Sequence, residues 1–449
     1  MGSGENTPSR HGVRGTAGRR RTYPRRRRAG RAGLSFIPFR ATSLILLALL
    51  FSCLLAYFLS LKGGSKTTVT LSVLARGPGG EVPAPRAVED EPEVAARAAV
   101  LLDPLTGEFL YRKNDGERLP MASTTKIMTA LLVLERCSLD EKVIVGEEAA
   151  GVGESSGWLT PGETLTVEQL LHALLLQSGN DAAMALAIHT GGSLEAFVDM
   201  MNRRAEELGA WDTHFANPHG LDQEGHYTTA HDLALIAAEA MRLEPFRRVV
   251  STRKYELPWP GHPFPRVYYN KNKLLGLYPY ANGIKTGYTL GAGRCLVASA
   301  SRDGMDLISV VLNCDDYWNQ SERLLEYGFR NFVRLHFHLD SLGLPLEVGK
   351  CPTGRATAGG HDIAVTVRRD RVNDYLLARG YYKSWIPYPA RRGEEVGRLQ
   401  VGPEGEGRDL SLELEKDVPA PGFLRRLWSC VGHGLGAAWR VVKFLLPGI

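Results

Sequence analysis

The sequence predicts an α+β fold, in which helices packed on an antiparallel sheet are followed by a small all-β domain. Apolar residues recur at helical spacing in the stretch 164–177, TLTVEQLLHALLLQ. Further along, the β-rich runs RCLVASA and MDLISVVLN flank Asp303-Gly304, which is a strong hairpin signal. After about Leu342 the pattern changes to short runs of alternating apolar and polar residues, which is typical of strands.

The N-terminal segment combines a basic tail with a long apolar run. Eleven arginines and one acid, Glu5, precede residue 62, and residues 42–61 carry no charge. A run of about 20 apolar residues matches the thickness of a bilayer. Since basic flanks stay inside, we expect a cytoplasmic tail at 1–41, a transmembrane signal-anchor at 42–61 in the cell membrane, and the remaining chain on the extracytoplasmic side. The alternatives are export after signal cleavage, with the C-terminal helix as the membrane attachment, or a lipoprotein-like site at Cys53.

The net charge of +5 belongs to this tail, because the rest of the chain holds 43 basic and 48 acidic residues. We therefore predict no nucleic-acid partner, and we interpret Arg25 to Arg28 as an orientation signal beside the membrane span. The six cysteines contain no C-x-x-C pair, and the spacing of the four histidines between 214 and 231 matches no common zinc pattern. We expect no metal site, no cofactor and no essential disulfide.

Residues 62–93 are predicted to form a linker, because they are rich in glycine and proline and show little periodic apolar pattern. The stretch 95–114, AARAAVLLDPLTGEFLYRKN, then predicts two short strands around a turn at Pro104 to Gly107. We place the first folded domain at 94–338, and expect a helix containing Leu324 and Leu325 to close it.

Ser123-Thr124-Thr125-Lys126 is the first of three motifs that carry chemistry. Apolar residues follow it at helical spacing, so Ser123 is predicted at a helix N-terminus, facing inward. Residues three apart on a helix are neighbours, which places Lys126 beside Ser123. A neutral lysine amine can accept the proton of a serine hydroxyl and activate it as a nucleophile. Alone, Ser123 could be an ordinary N-cap, but a lysine on an otherwise apolar helix is costly without a role.

The second motif is Ser178-Gly179-Asn180. Thr166 and Gln169 form a capping-box pattern at the start of one helix, which is predicted to stop at Ser178-Gly179 before another begins at Asn180. Ser178 and Asn180 are therefore expected on a tight turn between two helices. The alternative is that they act only as a cap and a terminal glycine turn.

The third motif is Lys285-Thr286-Gly287. It lies in GIKTGYT, residues 283–289, which has the composition of a strand and leads into the predicted hairpin. We therefore expect this motif beside an antiparallel meander.

Two further segments complete the chain. The runs IAVTV (363–367), VGRLQV (396–401) and LSLEL (410–414) predict a small β-rich domain at 343–418, in which no catalytic constellation stands out. Residues 423–449 carry apolar residues at three- and four-residue steps, with basic residues mostly elsewhere. That pattern is typical of an amphipathic helix on a membrane surface, although packing on the protein itself is the alternative. We expect lipid contact through both 42–61 and 423–449.

The three motifs in this order resemble those of low-molecular-mass penicillin-binding proteins that are serine-type D-alanyl-D-alanine carboxypeptidases, peptidase family S11. The resemblance extends over roughly 94–420 and includes MASTTKIMTALLVLE (121–135), NPHGL (217–221), NKNKLL (270–275) and GIKTGYT (283–289). It implies a penicillin-binding-protein/β-lactamase-like catalytic domain followed by the β domain. The amphipathic tail is also typical of the family.

The resemblance also implies a mechanism. Ser123 would attack the carbonyl between the two terminal D-alanines of a peptidoglycan stem peptide, and Lys126 would take its proton. Ser178 and Asn180 would complete the proton relay and contact the substrate amide. Water would then hydrolyse the acyl-enzyme, and β-lactam antibiotics such as penicillins should acylate the same serine.

Four further residues are implied as substrate-binding. Lys285 and Thr286 would bind the terminal carboxylate, and Gly287 would let the substrate approach the sheet edge. The backbone N–H of Tyr288, together with that of the nucleophile, would hold the oxyanion.

The chain departs from the family pattern at two points. Met121 stands where a proline is often found, and the stretch DDYWN, 315–319, lacks an arginine that supports carboxylate binding in some members. Carboxylate recognition is therefore expected to rest on Lys285 and Thr286. The alternative functions are a DD-endopeptidase or a β-lactamase on the same scaffold, or a non-enzymatic wall-binding protein.

Overall fold

A computed structural model of the chain describes residues 66–72, 75–76, 81, 83–337, 344–348, 351–357, 363–383, 385–387 and 389–420. The predicted cytoplasmic tail (1–41), membrane span (42–61) and amphipathic helix (423–449) lie outside these residues. Within the described ranges, no helix combines the length and the apolar character needed to cross a membrane.

Strands and helices alternate through the first part of the chain and give way to strands in the last part. The strands are β1 Lys66–Ser72, β2 Ala75–Arg76, β3 Ala98–Asp103, β4 Glu108–Lys113, β5 Lys142–Ile144, β6 Thr164–Thr166, β7 Lys254–Leu257, β8 Arg266–Tyr269, β9 Ala281–Thr289, β10 Gly293–Arg302, β11 Met305–Leu312, β12 Phe332–Phe337, β13 Leu344–Val348, β14 Cys351–Thr357, β15 Ile363–Arg368, β16 Leu377–Lys383, β17 Trp385–Ile386, β18 Glu395–Val401 and β19 Arg408–Leu414. The α-helices are α1 Lys126–Arg136, α2 Glu147–Ala150, α3 Val167–Leu175, α4 Asn180–Gly191, α5 Leu194–Glu207, α6 Ala230–Arg242, α7 Glu244–Ser251, α8 Leu274–Leu277 and α9 Tyr317–Asn331. Within the described ranges, 3-10 turns span Ala122–Thr125 and Arg369–Tyr375.

A five-stranded antiparallel sheet, in the order β4-β3-β11-β10-β9, organises the first region. The hairpin predicted at Asp303-Gly304 is confirmed as β10 and β11. Val297 of β10 packs in one apolar cluster with residues of α1, while Leu296 packs in a second cluster with residues of α9. Because helices cover both faces, these strands carry nearly continuous apolar runs.

The helices begin where capping residues predict them. Thr166 and Gln169 form a complete capping box at the start of α3. Ser193 and Thr229 cap α5 and α6 through their side-chain oxygens. The chain between α3 and α4 is short, so Ser178 lies on an interhelical turn, as predicted.

The C-terminal region is a β structure with its own core. One sheet has the order β1-β16-β18-β19-β14-β13-β17, and another has the order β15-β12-β2. The runs predicted at 363–367, 396–401 and 410–414 lie in β15, β18 and β19. The predicted fold class, an α+β domain followed by a β domain, is confirmed.

The structure corrects two expectations in this part of the chain. The expected linker 62–93 contains β1, which pairs antiparallel with β16 as an edge strand. Its partner lies far along the sequence, so no local pattern could reveal the pairing. Residues 332–337, which the sequence assigns to the end of the first domain, form β12 instead. Val333, Leu335 and Phe337 alternate into the second core, because a strand has period two.

A buried ion pair links the two regions. Asp103, at the end of β3, accepts hydrogen bonds from Arg334 of β12 at 2.6 and 3.0 Å. It also accepts one from the hydroxyl of Thr366 in β15 at 2.5 Å. The side chains of Asp103 and Arg334 are 0% and 3% exposed. Both charges are therefore compensated where they are removed from water.

Candidate active site

Ser123 and Lys126 lie on one turn of helix. Ser123 is in the 3-10 turn Ala122–Thr125, and Lys126 is the first residue of α1. The Nζ of Lys126 lies 2.9 Å from the Oγ of Ser123. The spacing of three therefore brings the two groups into contact, through a 3-10 turn that precedes the α-helix rather than inside the helix itself.

Lys126 is wholly buried among neutral oxygen atoms. Its Nζ also donates to the Oδ1 of Asn180 at 2.8 Å and to the carbonyl oxygen of His219 at 2.6 Å. Burial, and then the positive charges of Lys285 and Lys271, hold the pKa of Lys126 well below its usual range. A lysine with a lowered pKa can be neutral at physiological pH, and its amine can then take a proton from the serine.

Lys285 enters the same site from β9 and is also buried. Burial and the charge of Lys271 lower the pKa of Lys285 to about 7. Its Nζ donates to the carbonyl oxygen of Thr286 at 2.9 Å. Lys271, which is not among the residues predicted from the sequence, donates to the Oγ of Ser155 at 3.3 Å. The lysines make the site electropositive and suited to a carboxylate.

Ser178 and Asn180 lie on the turn before α4. Asn180 donates from Nδ2 to the carbonyl oxygen of Gly153 at 2.9 Å, which leaves its Oδ1 directed at Lys126. Ser178 has a φ of +67°, which is uncommon for a residue with a side chain. Its buried Oγ has no hydrogen-bond partner among the described residues. A buried hydroxyl without a partner on a strained turn is a group that a bound substrate can satisfy.

Asp181 holds the segment in front of this turn. Its carboxylate accepts hydrogen bonds from the hydroxyl of Ser156 at 2.7 Å and from the backbone N–H of Gly157 at 2.8 Å. The helix dipole also favours an aspartate in the first turn of a helix. The position of Asp181 at the predicted start of α4 is therefore the feature of the sequence that could have pointed to this structural role.

Strand β9 passes close to the turn that carries Ser123. A Cβ added at Gly287 would lie 3.0 Å from the carbonyl oxygen of Met121 and 3.1 Å from the backbone nitrogen of Ser123. Glycine therefore permits the close approach at this point. Thr286 is half-buried and Tyr288 is 61% exposed, so both lie at the surface beside the serine.

The loop 217–221 supports the serine turn from another side. Gly220 has a φ of +91°, and a Cβ there would collide with the carbonyl oxygen of Ala122. The hydroxyl of Thr129 donates to the carbonyl oxygen of Pro218 at 2.6 Å. The carbonyl of His219 is thereby held against Lys126. The contribution of this loop is made by its backbone, which explains why residue types alone did not reveal it.

A serine–lysine pair on this fold defines a class of acyl-transferring serine enzymes. The model of peptidase family S11, D-alanyl-D-alanine carboxypeptidase, matches residues 86–316. The D-alanyl-D-alanine carboxypeptidase DacF of Bacillus subtilis (strain 168) is 34% identical over 350 residues, which cover 75% of this chain and 89% of that relative. The chain therefore belongs to the S11 family, and the predicted family and enzyme class are confirmed.

Solved structures support the same assignment. Penicillin binding protein 5 from Haemophilus influenzae is 28% identical, with a TM-score of 0.65, and the match covers 74% of this chain and 100% of that one. The Streptomyces K15 DD-transpeptidase is 35% identical, with a TM-score of 0.51, and the match covers 54% of this chain and 99% of that one. The first match thus spans about three quarters of this chain and the second about half of it.

Proposed function

We propose that the protein is a serine DD-carboxypeptidase that removes the terminal D-alanine from peptidoglycan stem pentapeptides and so limits or remodels cell-wall cross-linking. The observation that carries the proposal is the contact of 2.9 Å between the buried amine of Lys126 and the hydroxyl of Ser123. The relatives named D-alanyl-D-alanine carboxypeptidases supply the substrate class.

In the acylation step, the Oγ of Ser123 attacks the carbonyl carbon of the bond between the two D-alanines, and Lys126 accepts the hydroxyl proton. The new C–O bond replaces the C–N bond, and the terminal D-alanine leaves as a free amine. The buried hydroxyl of Ser178, which has no hydrogen-bond partner in the described part of the chain, supports a role in passing the proton from Lys126 to that amine. Asn180 positions Lys126 through its Oδ1 atom, and in this proposal its side chain also contacts the substrate amide.

Substrate binding rests on β9 in this proposal. Lys285 and Thr286 bind the carboxylate of the terminal D-alanine, and the negative charge of that carboxylate raises the pKa of Lys285 so that the amine stays protonated. The backbone N–H groups of Ser123 and Tyr288 stabilise the oxyanion, a contribution of about 3 kcal/mol for one such donor. The close approach of Gly287 to the backbone of Ser123 supports this pairing.

All candidate activities pass through an acyl-enzyme, so they are distinguished by the substrate that acylates Ser123 and by the group that attacks in the second step. Attack by water gives the carboxypeptidase. Attack by an amine gives a DD-transpeptidase, which the likeness to the Streptomyces K15 DD-transpeptidase makes the second candidate. Fast hydrolysis of a penicillin acyl-enzyme indicates a β-lactamase. Cleavage of cross-linked peptides indicates a DD-endopeptidase.

The test uses the full-length protein in detergent, with a D-Ala-D-Ala-terminated peptide and with labelled penicillin. We expect release of one D-alanine without an added amine, and a long-lived penicillin adduct on Ser123. Ser123→Ala should abolish the adduct and lower peptide turnover by about 10⁴-fold or more. Ser193→Ala, at a helix cap outside the site, should keep both activities.

Several outcomes would contradict the proposal. A penicillin adduct that persists in Ser123→Ala would identify another nucleophile. Alanine release only with an added amine would favour the transpeptidase. Absence of both the adduct and the turnover in the wild-type protein would favour a wall-binding protein without catalysis.

We also propose that the protein is held at the cell membrane with its catalytic region on the extracytoplasmic side. The uncharged run 42–61 behind eleven arginines and the amphipathic pattern at 423–449 support this attachment. Deletion of 423–449 should weaken binding of a signal-cleaved form to anionic vesicles, and intact mass spectrometry would show whether 42–61 is retained. Equal vesicle binding with and without 423–449 would contradict the lipid contact of this segment.

A further inference from the structure

A cysteine, a glutamate and a histidine converge at the far ends of the two helices that begin in the active site. The ligand atoms of Cys137, Glu141 and His189 all lie within 4.8 Å of one another. Cys137 directly follows α1, which begins with Lys126, and His189 lies in the last turn of α4, which begins with Asn180. With a rise of about 1.5 Å per residue, these helices separate the cluster from the active site by roughly 15 Å.

We propose that Cys137, Glu141 and His189 form a binding site for a zinc ion, with water as the fourth ligand. Thiolate sulfur, imidazole nitrogen and carboxylate oxygen together suit Zn²⁺ in a tetrahedral arrangement. Calcium and magnesium prefer oxygen ligands throughout, so this donor set discriminates against them. On binding, the thiol of Cys137 releases its proton to solvent, and the metal replaces the hydrogen bond of 2.8 Å between His189 Nε2 and Glu141 Oε1.

Neighbouring groups already orient two of the ligands. The hydroxyl of Thr190 lies 3.4 Å from the Sγ of Cys137, where it can donate to a thiolate. The backbone N–H of Ser138 donates to the Oε2 of Glu141 at 3.3 Å, so the Oε1 atom is the one that faces His189. Outer hydrogen bonds of this kind orient metal ligands in proteins.

The backbone also favours a cation at this position. Cys137 is the C-terminal cap of α1, and His189 lies near the C-terminal end of α4. The partial negative charge at the end of each helix attracts a positive ion. The side chains of His189 and Glu141 are 25% and 43% exposed, so an ion can reach the ligands from solvent.

The thiol of Cys137 is more accessible to a metal ion than the thiols of Cys295 and Cys314. The latter two are buried, whereas Cys137 is partly exposed. Burial raises the pKa of the Cys295 thiol to about 12 and that of the Cys314 thiol to about 11. A metal titration should therefore report on Cys137 without interference from these two.

The site was not expected from the sequence, where only the histidines between 214 and 231 were close enough together to suggest zinc. Cys137 and Glu141 are neighbours in sequence, but His189 is brought to them by the packing of α4 on α1. A bound ion would tie the ends of these two helices together and so stabilise the packing that holds Lys126 beside Asn180.

The proposal is tested by cobalt titration of the full-length protein, reduced and stripped of metal in detergent. One equivalent of Co²⁺ should produce a thiolate-to-cobalt absorption band in the near ultraviolet, and Zn²⁺ should displace it. Cys137→Ser should abolish the band, and His189→Gln should weaken Co²⁺ binding by at least about 10-fold. His262→Gln, at an exposed histidine outside the cluster, should leave the titration unchanged.

A thermal measurement provides the second readout. Zn²⁺ should raise the Tm of the wild-type protein and of His262→Gln, but not that of Cys137→Ser, because an ion that binds only the folded state stabilises it. The absence of a thiolate band in the wild-type protein, or an equal rise in Tm for Cys137→Ser, would overturn the proposal. Penicillin labelling of each variant shows that it is folded.

Discussion

The catalytic region and the C-terminal β region treat buried charge differently. In the catalytic region, Lys126 and Lys285 are fully buried, and the hydrogen-bond partners described for their amines are neutral oxygens. In the β region the core consists of alternating apolar residues such as Leu399 and Leu412, and its buried arginine, Arg334, is paired with Asp103. The active site keeps two buried amines without a counter-charge, because its chemistry needs them. The buried arginines described elsewhere in the chain, Arg334 beside Asp103 and Arg266 beside Glu163, are compensated by carboxylates.

The largest effect is expected when the compensated pair is broken. Asp103→Asn leaves the buried Arg334 without its counter-charge, and we expect a loss of about 3–5 kcal/mol in the free energy of unfolding. The control is Glu406→Gln, which removes an exposed pair with Arg371 at 2.6 Å and should cost less than about 1 kcal/mol. Chemical denaturation of both variants measures the difference. Equal losses would show that the two regions do not depend on this pair.

Gly220→Ala tests how closely the catalytic region is packed around its serine. The φ of +91° and the collision with the carbonyl of Ala122 should lower the free energy of unfolding by about 2–3 kcal/mol. Because the collision displaces Ser123, penicillin acylation should also be slower. Gly261→Ala is the matched control, because its φ is +81° but open space surrounds it. The Gly261→Ala variant should lose about 1 kcal/mol in the free energy of unfolding and should be acylated by penicillin at the normal rate. Normal acylation by Gly220→Ala would refute the supporting role of the loop 217–221.

Lys285→Met should separate stability from activity. The pKa of Lys285 is about 7 in the folded protein and 10.5 when unperturbed, so the unfolded chain holds the proton more tightly. The resulting destabilisation is fully present below about pH 7 and fades as the pH rises toward 10.5. We expect the free energy of unfolding of the variant to exceed that of the wild-type protein by about 1–2 kcal/mol at acidic pH and by less at alkaline pH. Its peptidase activity should fall.

The measurement for Lys285→Met is denaturation on both sides of neutrality, together with D-alanine release. Lys254→Met, at an exposed lysine paired with Glu256, serves as the control and should show no pH-dependent gain of this kind. A loss of stability for Lys285→Met at low pH would mean that the buried ammonium is compensated after all.

Lys271→Met should produce the smallest effect, which is a shift in the pH dependence of penicillin acylation. Lys271 contributes to the lowered pKa values of Lys126 and Lys285, and its removal should raise both. Acylation requires neutral Lys126, so its rate should increase at a higher pH than in the wild-type protein. The rate constant of penicillin acylation, measured across pH, gives the midpoint. An unchanged midpoint would exclude Lys271 as a source of the electropositive field.

Much of the fold followed from local patterns. The capping box of Thr166 and Gln169, the hairpin at Asp303-Gly304 and the contact of Ser123 with Lys126 all involve residues within a few positions of one another. Strand β1 escaped prediction because its pairing partner, β16, is distant in sequence. The start of β12 is hard to recognise from the sequence, because Phe332 packs in the same apolar cluster as residues of α9.

The sequence by itself determined the class of fold, the three motifs and the order in which they occur, because periodicity, capping and turns depend on neighbouring residues. Only the tertiary structure decided that Lys126 meets Asn180 and the carbonyl of His219, and that Lys271 adds its charge to the site. Such contacts depend on how separate helices and strands pack. The burial that lowers the pKa of a lysine is likewise a property of the packed core and not of any segment alone.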